Sequence, residues 1–294
     1  DTETEVKIHM KKTGLVVEGG GMKCAYSAGV LDAFLENQIT FDYCIGASAG
    51  AASAASYVAG QHGRNIRFYT EHTKDPLYFG LRSFLKTGDL FNLKYIYGYL
   101  TNSDGGDPLD LDAILQSPAE YEIVATRAET GEPVYFSKHD LIRDDYRHLM
   151  ASCAIPAVCR PVEIDGWHYY DGGVTDPIPI QRAMDQGCEK LVVILTKSRK
   201  FVKNPEQFRR AYTLMCRKYP KAVEALNRRH LVYRKTQKQM FDLEKEGKLF
   251  LFAPETDLKI NTYTMDVKKN QHMYDLGLQD FQTAKTELKE FLSA

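Results

Sequence analysis

The sequence predicts an α/β protein of the three-layer α/β/α kind, with a mostly parallel central sheet. Two observations carry that expectation. Residues 14–60 twice run through the order strand, glycine turn, helix, and a later apolar run, Leu191–Thr196, has the composition of a buried strand. The chain shows no internal repeat, low-complexity tract or linker, so a single domain over 1–294 is the simplest organisation. Its core is expected over about 14–196, with a variable insert over about 62–118 and a helical C-terminal part over about 200–294.

Each element has a local reason. Gly14–Glu18 is a short apolar run ending in Gly19, Gly20 and Gly21. A helical pattern follows over about 22–37, with Tyr26, Val30, Ala33 and Phe34 recurring at three and four. Phe41–Ile45 reads as the second strand, and the small residues after Gly50 read as a helix reaching toward Gly60. The insert is rich in aromatics, among them Phe68, Tyr69, Tyr78, Phe79, Phe91 and Tyr97. Such a stretch is either ordinary core or the lining and lid of a pocket. Tyr121–Thr126 and Glu132–Phe136 read as a hairpin, as do Val162–Ile164 and Trp167–Tyr170 around Asp165-Gly166. Pro205–Lys245 is mostly helical, broken near Pro220. Lys248–Ala253 reads as a last strand and Tyr274–Leu292 as an amphipathic terminal helix.

Bulk properties exclude several classes. Lys plus Arg total 38 against 39 Asp plus Glu, a balance that calls for no nucleic-acid partner. Apolar runs are too short to span a bilayer, and the polar stretch Asp1–Lys12 has no secretory pattern. Six dispersed cysteines, with no CxxC pair, predict reduced thiols and a cytoplasmic protein, and no metal ligand spacing occurs.

Three motifs carry chemistry. Gly46-Ala47-Ser48-Ala49-Gly50 lies between a strand and a helix, the setting in which a sharp turn lifts a serine clear of the backbone. Ser48 is therefore the candidate nucleophile, with Gly46 and Gly50 as the small neighbours such a turn needs. Gly19-Gly20-Gly21-Met22-Lys23 also joins a strand to a helix. Its backbone N–H groups can converge on an anion, as an oxyanion hole requires. Lys23 either reinforces that site or projects into solvent. A phosphate loop is the competing reading. No Gly-Lys-Ser/Thr follows for a Walker loop, and Cys24 stands where a dinucleotide fingerprint needs its last glycine. Asp171-Gly172-Gly173 follows a strand, where Asp171 is either a general base or part of a plain turn. The histidines fit no triad: only one strand–helix unit precedes Ser48, and His230 and His272 sit in no glycine-rich loop.

Taken in order, these motifs resemble the patatin-like phospholipase family, which pairs a glycine-rich oxyanion loop, a Gly-x-Ser-x-Gly turn and an Asp-Gly-Gly/Ala motif. Ala151-Ser152-Cys153-Ala154-Ile155-Pro156 is similar to a further segment of that family. The resemblance covers about 14–196. It implies a patatin-like fold and acyl-ester hydrolysis by a Ser48–Asp171 dyad without histidine. It also implies an oxyanion loop from Gly19 to Lys23, a lipid or small acyl-ester substrate, and no cofactor or metal. One residue departs from the pattern: Cys24 replaces the glycine usual after the basic residue. Two alternatives stay open, a non-catalytic lipid-binding relative with a loop altered by Cys24 and a nucleotide-binding oxidoreductase using Gly19–Gly21. The basic region Arg209–Lys238 has two readings, peripheral contact with anionic lipid headgroups or a solvated helix face. The acidic residues after it favour the second.

Overall fold

The computed structural model describes residues 11–255 and 260–294, so most of the polar N-terminal stretch, residues 1–10, lies outside the described residues. Among the described residues, eight strands form one sheet: β1 (Thr13–Val17), β2 (Tyr43–Ala47), β3 (Glu120–Arg127), β4 (Pro133–Ser137), β5 (Val162–Ile164), β6 (Trp167–Asp171), β7 (Lys190–Ile194) and β8 (Leu249–Phe252). Their order is β5-β6-β3-β2-β1-β7-β8, with β4 paired to β3 off that path. The run β3-β2-β1-β7-β8 is parallel, and β4, β5 and β6 add antiparallel pairs. Both hairpins expected from the sequence are present. Asp165 (φ 50°) and Gly166 (φ 79°) adopt the left-handed pair that a two-residue hairpin turn requires.

Alternation along the strands separates the two faces. Leu15, Val17, Val192 and Ile194 pack toward helices α1 (Ala25–Glu36) and α2 (Ala49–Val58) and the terminal helix Val267–Ser293. Val16, Ile45, Leu191 and Val193 pack on the other face, with Ile180 and Ala183 and with Tyr233 and Met240 of the long helix Pro220–Lys245. The result is the expected helix–sheet–helix layering. The terminal helix begins earlier than its apolar periodicity suggests, because Asp266 caps it by accepting from the N–H groups of Lys268 and Lys269. The insert is not a separate body. Phe68, Tyr69, Tyr78 and Phe91 belong to the main core cluster. Arg64 is buried with them and donates to Ser56 Oγ and Asp107 O, both at 2.9 Å.

One detail of pairing decides where the site forms. β4 runs along one edge of β3 from Glu122 to Thr126, while β2 covers the other edge from Glu120 to Val124. β6 pairs with Ala125–Arg127, so it occupies the same edge as β2, directly beyond that strand's end. Ala47 ends β2 opposite Val124, and Asp171 ends β6 opposite Ala125. The two strands therefore run toward each other and stop one residue apart.

Close helix contact depends on two glycines. A Cβ on Gly29 of α1 would lie 2.1 Å from Tyr274 O, and one on Gly277 would lie 2.2 Å from Tyr26 O. Helical Gly→Ala usually gains about 1 kcal/mol of helix propensity. Here the methyl meets backbone, so Gly277→Ala is expected to destabilise by about 1–3 kcal/mol. Thermal or urea unfolding checks the sign.

Candidate active site

Ser48 alone forms the turn between β2 and α2, with φ 57° and ψ −138°. A side-chain-bearing residue held there costs of order 1–3 kcal/mol. Gly46 and Gly50 allow the turn: a Cβ on Gly46 would lie 2.6 Å from Ala51 N, and one on Gly50 would lie 2.4 Å from Val17 O. Hydrogen bonds hold the strained unit. Ser48 N–H donates to Ser152 Oγ (2.9 Å), and that hydroxyl donates to Val124 O (2.5 Å).

Asp171 is held from both sides of its peptide. Its N–H donates to Ala154 O (2.9 Å), and its carbonyl accepts from Thr126 Oγ1 (2.9 Å). Ser48 Oγ donates to Asp171 Oδ2 at 2.6 Å, and Asp171 Oδ1 accepts Gly173 N–H at 2.7 Å. Gly172 is needed because a Cβ there would lie 2.2 Å from Val124 O. Both the Ser48 and the Asp171 side chains are buried. Burial pushes the Asp171 carboxyl above the ordinary Asp range, while Ser48, the Arg229 charge and the Gly173 N–H pull it partly back. A carboxylate with a raised pKa is the stronger base.

The glycine loop lies against the same turn. A Cβ on Gly19 would lie 2.7 Å from both Ala47 O and Ser48 Cβ, so the loop's approach to Ser48 requires glycine. Among the described residues, no acceptor is hydrogen-bonded to the amides of Gly19, Gly20 or Gly21. The other two amides of the motif are occupied: Met22 N–H donates to Thr262 O (3.2 Å) and Lys23 N–H to Gly20 O (3.3 Å). Below the loop, the buried Glu18 carboxylate accepts from Thr196 N–H (2.7 Å) and Tyr233 OH (2.8 Å), and it pairs with Lys197. Cys24 is fully buried in the main core cluster, and its thiol donates to Glu18 O (3.6 Å). It lines neither of the cavities that meet at Ser48.

Those cavities differ in character. One is narrow and mainly apolar, lined by Phe68, Tyr69, Tyr78, Phe91, Ile96 and Cys153. The insert aromatics thus serve as both core and lining. The other is wide, about 550 Å³, and reaches Asp171, Lys197, Lys203, Glu206 and Arg229. Ser48, Gly21 and Ile155 belong to both walls. No described histidine lines either cavity.

Sequence reasoning placed Ser48, Asp171 and the glycines, and the fold brings them together. It assigned no role to Ser152, Thr126 or Glu18, and it read Arg229 only as part of a basic stretch facing lipid headgroups or solvent. Ser152 lies in a segment the motif comparison singled out, but a hydroxyl partner for a backbone N–H leaves no pattern of its own. Arg229 sits in the basic stretch of the long helix. It is only partly exposed, its Nε donates to Gly173 O (2.5 Å), and it pairs with Glu206 (3.1 Å).

The raised Asp171 pKa has a sign that can be tested. The folded chain binds this proton more tightly than the unfolded chain does, so stability falls as pH rises from the ordinary Asp value through the raised one. Asp171→Asn removes the buried charge and can still bond Gly173 N–H and Ser48 Oγ. Its Tm is expected to exceed that of the parent at neutral pH, and the gap should close as pH drops through that window.

The family model described as Patatin-like phospholipase matches residues 15–184. A second model, a domain of unknown function (DUF6363), matches residues 219–293, which supply the long helix, β8 and the terminal helix. Uncharacterized protein YjjU of Escherichia coli (strain K12) is 32% identical over 68% of this chain and 56% of its own length. An uncharacterized NTE family protein of Mycobacterium tuberculosis is 27% identical over 58% of this chain and 44% of its own. The matches thus span about half the length of these curated relatives. Among solved structures, VipD from Legionella pneumophila aligns over 97% of this chain and 67% of its own, with 13% identity and a TM-score of 0.47. The type III effector ExoU aligns over 96% of this chain and 53% of its own, with 14% identity and a TM-score of 0.41. The match over residues 15–184, more than half of the chain, places this protein in the patatin-like phospholipase family.

Proposed function

We propose that the protein hydrolyses acyl esters of lipids through a Ser48–Asp171 dyad. The observation that supports this reading most is the 2.6 Å hydrogen bond between a strained, buried serine and a carboxylate whose pKa burial has raised. In this mechanism Asp171 accepts the Ser48 proton as Oγ attacks the ester carbonyl carbon. The developing oxyanion is held by the Gly20 and Gly21 amides, with Gly19 beside them, because Met22 and Lys23 have already given theirs to Thr262 and Gly20. The C–O bond then breaks, the alcohol leaves with the proton from Asp171, and the acyl group stays on Ser48. Water attacks the acyl carbon, Asp171 takes its proton, and that proton returns to Ser48 Oγ as the fatty acid departs. The apolar cavity suits the acyl chain, and the wide, charged cavity suits the rest of the lipid.

Ser48→Ala and Asp171→Asn are each expected to lower p-nitrophenyl ester turnover by roughly 10³–10⁵-fold. The pH profile of kcat/KM should show an acidic limb above the ordinary Asp value, since the base form is lost as pH falls through the raised pKa. Full turnover in Asp171→Asn would remove Asp171 from the mechanism.

Ser152→Ala should act through position rather than contact. It leaves the Ser48 N–H unpaired at a cost of about 1–3 kcal/mol. The expected kinetic result is a kcat lowered roughly tenfold or more with KM little changed. An equal loss carried by KM would place Ser152 in substrate binding instead.

A further inference from the structure

Two short helices near the wide cavity expose more apolar surface than the rest of the chain leads one to expect. In the helix Leu81–Thr87, Leu81 (69% exposed) and Leu85 (78%) are four residues apart on one face. In the helix Arg209–Met215, Leu214 and Met215 are each more than half exposed. Phe208, just before it, is 80% exposed and held at φ 58°, a backbone state that costs a non-glycine residue energy.

Between the acidic residues that bracket each stretch, the charges are all of one sign. Between Asp75 and Asp89 the only charged residues are Arg82 and Lys86. Between Glu206 and Glu224 the only ones are Arg209, Arg210, Arg217, Lys218 and Lys221. In a chain of formal net charge −1, this is a local concentration of cations among exposed leucine, methionine and phenylalanine.

Both helices are tied to the lining of the wide cavity. Gly80 N–H donates to Leu90 O, and Leu90 N–H donates to Val158 O, both at 2.9 Å. Val158 lines the wide cavity together with Phe208 and Tyr212. Tyr263, another lining residue, stacks on Phe79 and Phe91 at the base of the first helix, with centroids 5.9 Å apart in each case.

We propose that this rim docks on the surface of a bilayer containing anionic lipid, with Leu81, Leu85, Phe208, Leu214 and Met215 entering the interface and the neighbouring arginines and lysines meeting the headgroups. Charge complementarity selects this occupant: exposed aliphatic side chains interleaved only with cations match an anionic lipid surface. Among the described residues no helix is long and apolar enough to cross a membrane, so the contact is one of lying on the surface. The proposal gives the hydrolase reading its route of substrate entry, because the wide cavity then opens toward the lipid, and it rests on that reading for this purpose alone.

The test uses the full chain as Ser48→Ala, so that no lipid is consumed, with vesicles of phosphatidylcholine alone or with added phosphatidylglycerol. Co-sedimentation should favour the anionic vesicles by about tenfold or more. Adding Leu81→Ser, Leu85→Ser, Leu214→Ser and Met215→Ser together should remove about tenfold of that binding, and so should Arg209→Glu with Arg210→Glu. In the wild-type background, both sets should keep the parent's unfolding temperature and its turnover of a water-soluble ester. Equal vesicle binding by parent and variants, or no preference for anionic lipid, would overturn the proposal. So would a dimer that the leucine and methionine changes dissolve, in a chain that binds no vesicle, which would put a second copy on this face. Vesicle binding that behaves as expected in a chain inactive on every ester would leave the docking face standing and refute the hydrolase reading.

Discussion

A 2.6 Å hydrogen bond joins Ser48 to Asp171 across 123 residues of sequence, and it forms because two strands share one edge of β3. β2 arrives from one end and β6 from the other, and the last residue of β6 faces Ala125 while the last of β2 faces Val124. The carboxylate at the end of one strand therefore meets the hydroxyl just past the end of the other. A slip of one register along β3 would turn Asp171 to the opposite face of the sheet. The Thr126 hydroxyl on the Asp171 carbonyl and the Ser152 hydroxyl between Ser48 N–H and Val124 O resist that slip.

The site is built from groups that are unfavourable one at a time. Ser48 has a left-handed backbone, Asp171 is a buried carboxylate, and three successive glycine amides donate to no described acceptor. Each is compensated nearby: the Ser48 carbonyl accepts from the Ala51 and Ala52 N–H groups in the first turn of α2, Gly173 N–H and Ser48 Oγ bond the carboxylate, and Glu18 anchors the glycine loop through Thr196, Tyr233 and Lys197. Such preorganisation suits a reaction in which negative charge appears on an oxygen and must be met by donors already in place. Cys24 fits this scheme without disturbing it, because its side chain packs into the core under the loop.

What the sequence made legible follows from range. Strand–glycine–helix units, the Asp165-Gly166 hairpin and the buried run at Leu191–Ile194 are local patterns, and each appears where the residues predict it. The Gly-x-Ser-x-Gly turn, the glycine loop and the Asp-Gly-Gly motif are also local, so their residues were readable one by one. Contacts between distant segments were not. That Thr262 O takes the Met22 amide depends on residues 240 positions apart, and so narrows the candidate oxyanion donors to the glycines only once the chain is folded. Arg229 belongs to a helix whose other arginine and lysine side chains are exposed, and only folding brings it to Gly173 O beside the carboxylate. The antiparallel return of β6 onto the edge used by β2 is likewise invisible to periodicity, although the whole site depends on it.

The most direct test of the account is the reaction of a fluorophosphonate with the full chain, followed by peptide mapping of the modified residue and measurement of its rate. The account predicts one adduct, on Ser48, forming rapidly in the parent and slowly in Asp171→Asn. An adduct on another residue, or labelling of Ser48 at the same rate without the carboxylate, would contradict the dyad.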